Sequence, residues 1–192
     1  MIDAANITRL LSTIREHDPD RQARWWLDLS ETDREATIDL APEELGSLDG
    51  LPGSVLDRVL RASLPAQIAR LNQERAEAGK GREQEFEDKF ASVEELQEVL
   101  QEPERMLLGL NLRGSRARAA VSVGNVDTAV HIGVYTPGMG STVQGCLARY
   151  DDEMDRLRSK AIALGTSPQD IATVTWLGYD APLGVVDVAQ RE

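Results

Sequence analysis

The sequence predicts a chain on the border of the α+β and α/β classes: a helical N-terminal region followed by a sheet built from a β-hairpin and a βαβ unit. Three observations predict it. The apolar period switches from that of a helix to that of a strand near residue 104. The charge changes at the same place: residues 1–104 carry 24 acidic and 12 basic side chains and residues 105–192 carry nine of each, so the whole net charge of −12 sits in the first part. The second part then runs strand, glycine loop, amphipathic helix, strand. Two regions are therefore expected, an acidic helical one over 1–104 and a mixed one over 105–192.

With 192 residues, 41% hydrophobic and 28% charged, the composition is that of a globular chain able to bury a core. In the first region Ile7, Leu10, Leu11 and Ile14 recur at helical spacing. Asp18-Pro19 predicts a helix start, with a carboxylate at the N-cap and proline in the first turn. Trp25 and Trp26 follow. Neighbours on a helix point about 100° apart, so one tryptophan is expected in the core and the other at a packing edge, rather than both on a ligand platform. Ser30 and Asp33 resemble a capping box. Ser47-Leu48-Asp49-Gly50-Leu51-Pro52-Gly53 reads as a turn. Ser54 is then expected to cap a helix carrying Val55, Leu56, Val59 and Leu60. Pro65 should end or kink it, because proline lacks a donor and clashes with the preceding turn. Leu64, Ile68 and Leu71 resume the stripe, Gly79-Lys80-Gly81 breaks it, and Phe86, Phe90 and Val93 form another. Ser92 with Glu95 has the spacing of a further capping box. Nothing in this region pairs a nucleophile with a base, so it reads as an interaction or support layer with solvated acidic faces.

In the second region Met106 opens a short apolar run to Leu112, Arg113-Gly114-Ser115 turns, and residues 116–123 alternate. Ala117, Ala119, Val121 and Val123 share one face, and Arg116, Arg118, Ala120 and Ser122 the other, which makes a hairpin. Residues 130–136 form a strand that runs into Pro137-Gly138-Met139-Gly140-Ser141-Thr142. Leu147, Tyr150, Met154, Leu157, Ala161 and Leu164 repeat at three and four, giving one helical seam. Gly165-Thr166-Ser167-Pro168 stops it, and residues 171–176 form the next strand. Such a βαβ unit pairs its strands in parallel, and ligands sit at the carboxyl ends of parallel strands. The two candidate places are therefore residues 137–142 and 177–182.

Several chemistries are excluded at this level. Cys146 is the one cysteine, and His17 and His131 lie far apart, so neither a disulfide framework nor metal-ligand spacing is present. No cofactor is indicated. No apolar run is long enough to span a membrane. The first residues lack a secretory pattern, so a reducing cytoplasm is the expected compartment. The acidic balance argues against nucleic acid as a partner. Gly138-Met139-Gly140 lacks the third glycine of a dinucleotide fingerprint and the Gly-Lys-Ser/Thr of a phosphate loop. A glycine turn after a strand either serves as a tight turn with no ligand or aims N–H groups at a developing oxyanion.

Three motifs carry a resemblance: Val123-Gly124-Asn125-Val126-Asp127-Thr128-Ala129, Pro137-Gly138-Met139-Gly140-Ser141-Thr142-Val143, and Val174-Thr175-Trp176-Leu177-Gly178-Tyr179-Asp180-Ala181-Pro182. Together they resemble actinobacterial proteins of the α/β-hydrolase superfamily, in their N-terminal portion. Gly46-Ser47-Leu48-Asp49-Gly50-Leu51-Pro52 and Asp57-Arg58 are similar to the helical region that precedes that core. The resemblance implies a partial α/β-hydrolase sheet, acting on acyl esters by serine chemistry that needs no cofactor. It implies Gly138, Met139, Gly140 and Ser141 as oxyanion-hole candidates, with the Met139 N–H as one donor. Gly178, Tyr179 and Asp180 are possible lining residues. The chain departs from the family at the decisive point. Members continue to a Gly-x-Ser-x-Gly elbow, an acid and a histidine, and no Gly-x-Ser-x-Gly occurs here. Ser141 is not in an elbow, and His131 precedes the loop and reads as structural. No catalytic residue is expected in this chain, and a lone hydroxyl without a base is a poor nucleophile. Three accounts stay open: a hydrolase whose remainder is on another chain or lies outside this sequence, a non-catalytic interaction or binding module, and the remnant of an interrupted gene. Without the strand that bears the nucleophile, an open sheet edge is expected at residues 130–136 or 171–176, free for a complementary fragment or for self-association.

Overall fold

The computed structural model describes residues 4–182. Helices come first: α1 (Ala4–Arg15), α2 (Pro19–Asp28), α3 (Glu31–Leu40), α4 (Pro42–Leu45), α5 (Gly53–Glu77) and α6 (Glu83–Val99). Strands β1 (Arg105–Asn111), β2 (Arg118–Val123) and β3 (His131–Tyr135) follow, then α7 (Val143–Ala163) and β4 (Ile171–Leu177). The expected order of a helical region, a hairpin and a βαβ unit is what the chain adopts.

The strands make one four-stranded mixed sheet in the order β1-β2-β4-β3. β1 pairs antiparallel with β2, β2 antiparallel with β4, and β3 parallel with β4. Alternation along the strands sends Leu107, Val121 and Leu177 to one face, where they join Val143 and Leu147 of α7, Val93 and Leu96 of α6, and Leu60 and Leu64 of α5 in one apolar cluster. The cluster extends through Leu45 and Ile38 to Trp26, Leu11 and Ile7. Trp26 is 4% exposed and Trp25 packs at the margin, the split that helical geometry requires. Charge pairs, the first of them buried, fix the sheet to its helices. Arg105 of β1 meets Asp151 of α7 at 2.9 Å, and Arg158 of α7 meets Glu104 at 3.0 Å. Asp57 of α5 accepts the Leu107 N–H at 2.6 Å beside a bulge in β1.

Asp18 and Ser30 cap α2 and α3 as expected. Two local expectations fail, and of the two outcomes expected at Pro65 the helix end does not occur. Ser54 does not cap α5, which begins one residue earlier, at Gly53, without a side-chain cap of its own. The cap comes from Asp127, whose carboxylate accepts the Gly53 N–H at 2.5 Å and the Ser54 N–H at 2.8 Å. A carboxylate on the first-turn donors satisfies orphan N–H groups and opposes the helix dipole, whatever its position in sequence. The approach is close: a Cβ on Gly53 would lie 2.4 Å from Val126 Cγ2. Pro65 does not end α5. Proline removes a single ladder bond, and Leu60 and Leu64 on one side with Gln67 and Leu71 on the other are all buried, so packing carries the helix across. Ser92 does not open a helix but sits inside α6, buried, its hydroxyl 2.7 Å from the Asp88 carbonyl and 2.9 Å from Gln144 Oε1.

Helix α7 lies over β4 and β2. Among the described residues, no helix packs along the centre of the opposite face of the sheet. Leu108, Ala120, Val134, Val174 and Trp176 line a groove of about 450 Å³ there, bordered by the turn at residues 46–50 and by Leu56. One lateral edge of β3 has no neighbouring strand among the described residues, which places the expected open edge at β3 and not at β4.

Candidate functional site

Because β3 and β4 run parallel and adjacent, their carboxyl ends lie side by side. The loop at 137–142 leaves one and the segment at 177–182 leaves the other, so the two candidate places are one place. They are bonded together. The Gly140 N–H donates to the Pro182 carbonyl at 2.8 Å, and the Tyr179 hydroxyl donates to the Pro137 carbonyl. Gly140 adopts φ +81°, a conformation that favours glycine. Gly138 and Met139 are exposed, and Ser141 is buried where the loop turns toward α7.

The segment after β4 is held from three sides. Tyr179 stacks on Trp176 with ring centroids 5.8 Å apart. Gly178 makes room for that stack, since a Cβ there would lie 2.4 Å from the Trp176 ring. Arg118 of β2 grips both oxygens of Asp180, at 2.6 and 3.1 Å. The Asp180 carboxylate in turn raises the guanidinium above its ordinary pKa, through hydrogen bonding that outweighs burial. Arg116 donates to the Ala181 carbonyl at 2.6 Å. Periodicity assigns Arg116 and Arg118 only to an outward strand face. Their role as clamps follows from the β2–β4 register, which sets Ala119 opposite Leu177 and is a long-range property. In the same way, the stack between Trp176 and Tyr179 becomes visible only once Gly178 is seen to be filled by an indole.

His131 opens β3 and Ser141 lies beyond its far end. The length of β3 therefore runs between them. Among the described residues, no group of three or more His, Cys, Asp or Glu side chains could hold a metal ion, and no helix is long and apolar enough to cross a membrane.

Comparison with known proteins bears on this geometry. A family model described as an alpha/beta hydrolase matches residues 114–192. The uncharacterized protein Rv2079 of Mycobacterium tuberculosis is 27% identical over 192 aligned residues, which take in 85% of this chain and 28% of the relative. The uncharacterized protein Mb0988c of Mycobacterium bovis is 35% identical over 109 residues, 53% of this chain and 41% of the relative. The chain thus spans little more than a quarter of the length of the first of these relatives. No solved structure matches it. The likeness to the alpha/beta-hydrolase family is distant and partial, and the described sheet is an incomplete one of that kind.

Proposed function

We propose that this chain is the N-terminal portion of an α/β-hydrolase-like sheet, which supplies one wall and half of an oxyanion hole and performs no covalent catalysis by itself. The observation that carries the reading is the bonded pair of loops at the carboxyl ends of β3 and β4, beside the open edge of β3. The Met139 N–H is the donor for a developing oxyanion. The Gly140 N–H is already taken by Pro182. Gly138 and Ser141 shape the turn, and Gly178, Tyr179 and Asp180 form the opposing wall. The nucleophile, its base and its acid belong to a further segment.

The topology supports where that segment goes. A parallel strand laid on the free edge of β3 is reached from β4 by a crossover that runs back across the sheet. Right-handed connection then puts the crossover on the face opposite α7, the face that carries the groove. An acyl ester is the expected substrate class, its tetrahedral oxygen held by the loop N–H.

The apolar groove favours a second reading, a non-catalytic module that only seats a partner segment. One experiment tests the main proposal and a second separates it from this reading. The purified chain should take no label from a fluorophosphonate probe and should hydrolyse activated esters at the background rate. Turnover abolished by Ser141→Ala or His131→Ala would overturn the proposal. Complementation with a downstream Gly-x-Ser-x-Gly segment should restore labelling under the first reading and leave it absent under the second.

A further inference from the structure

We propose that the free edge of β3 pairs with the same edge of a second copy of this chain, antiparallel and centred on Gly133, so that two four-stranded sheets join into one. The inference rests on the open edge and is independent of any hydrolase chemistry.

The main chain specifies the register. The Val130 N–H donates to the Asp170 carbonyl, on the β4 side. In a parallel ladder a residue turns its amide and its carbonyl to the same neighbour, and alternate residues serve alternate sides. Val130, Ile132 and Val134 therefore face β4, and His131, Gly133 and Tyr135 present their N–H and C=O groups to the open side. Six main-chain groups in a row form a template for another strand. The edge is unguarded, since β3 contains no Lys, Arg, Asp, Glu or Pro. Apolar side chains in and beside it are exposed: Val130 is 71% exposed, Val134 63%, and Ile132 about half.

Three features identify a second copy as the occupant. Read antiparallel about Gly133, the strand is self-complementary. Gly133 meets Gly133 with no side chain at the axis, Ile132 meets Val134, and His131 meets Tyr135, so β-branched and ring partners stand opposite one another. The charge allows the approach, because residues 105–192 are net neutral while the repelling acidity lies in the helical region. The layers clear each other, because α7 packs mainly on β4 and β2 and meets β3 at its far end, where the Tyr135 ring lies 5.0 Å from that of Tyr150. The pair is isologous and closed, which limits it to two copies. A strand completing the sheet would use the same edge, so the two occupants exclude one another.

A five-residue edge is well short of the roughly 20–30 residues a side of a standard interface, so the association should depend on concentration. Light scattering from micromolar to sub-millimolar concentration should show the mass rising from one copy toward two. Val134→Lys, at an exposed position, should hold it at one copy with an unchanged circular dichroism spectrum. Gly133→Cys in a Cys146→Ser background should form a disulfide-linked dimer on oxidation, because the new side chain faces itself. The fold tolerates that change, since a Cβ at Gly133 meets only Thr173 Cγ2, at 3.7 Å. Val134→Cys in the same background should not cross-link, because it faces Ile132 of the other copy. A constant single-copy mass without Gly133→Cys cross-linking, an increase that survives Val134→Lys, or growth beyond two copies would each overturn the proposal. None of these outcomes bears on the fluorophosphonate result.

Discussion

Lys89 is 1% exposed, the most deeply buried basic side chain of the helical region. Its ammonium lies 2.8 Å from Glu85, one turn earlier on α6, and over the face of Phe86. Glu85 also accepts two bonds from Arg82, at 2.7 and 2.9 Å. Hydrogen bonding from Arg82, and then from Lys89, outweighs burial and lowers the Glu85 carboxyl from 4.5 to about 2. The folded value lies below the unfolded one. The pair's contribution is therefore full above the ordinary carboxylate range and fades as pH falls from about 4.5 toward about 2. Replacing Glu85 with Gln leaves a buried ammonium without its counter-charge, and should cost about 2 kcal/mol at neutral pH, less than a fully enclosed pair. Urea titrations of both proteins at a series of pH values should show the gap closing in acid. A gap that stays constant down to the acid limit would contradict the assignment. The i, i+4 spacing of this pair is readable from the chain, but its burial is not, because a lysine among glutamates looks solvated until α7 packs against α6.

Helix α5 shows where local rules lose to packing. Pro65 denies the Arg61 carbonyl its usual ladder donor, yet the helix persists because Leu60, Leu64 and Leu71 are buried together. Pro65→Ala restores that donor and removes the ring clash, against a gain of entropy in the unfolded chain. The balance should stabilise the protein by about 1 kcal/mol, read as a higher urea midpoint at unchanged slope. A lower midpoint would mean that the ring itself fills a site that alanine leaves empty. The hairpin and the βαβ unit are legible because period and turn composition are short-range consequences of residue type, whereas the union of the two candidate loops follows from the β3–β4 register. The cap on α5, the interior place of Ser92 and the Arg118 clamp on Asp180 were not legible. Each joins residues more than fifty apart in sequence, and a local pattern cannot specify such a partner.

Across the whole molecule, one apolar cluster contains Ile7 of α1, Leu60 of α5, Leu107 of β1 and Leu177 of β4, so the helical region and the sheet share a core. Carboxylates reach across the same junction in both directions. Asp57 of α5 holds the main chain of β1, and Asp127, between β2 and β3, holds the first turn of α5. The motif Val-Gly-Asn-x-Asp therefore has a mechanical role here: it anchors the support helices to the strands that carry the candidate site. Asp127→Ala should cost about 1–2 kcal/mol, the upper part of the range for losing an N-cap, because both carboxylate oxygens are engaged. Since the core is shared, the loss should appear in helix and sheet alike. Far-ultraviolet circular dichroism, dominated by the helices, and the fluorescence of Trp176 in a Trp25→Phe, Trp26→Phe background should shift to the same lower midpoint in one transition. Asp127→Asn, which keeps one acceptor oxygen, should recover part of the loss. Two separated transitions, or a shift confined to the circular dichroism signal, would show that the regions unfold independently and that the carboxylate does not couple them.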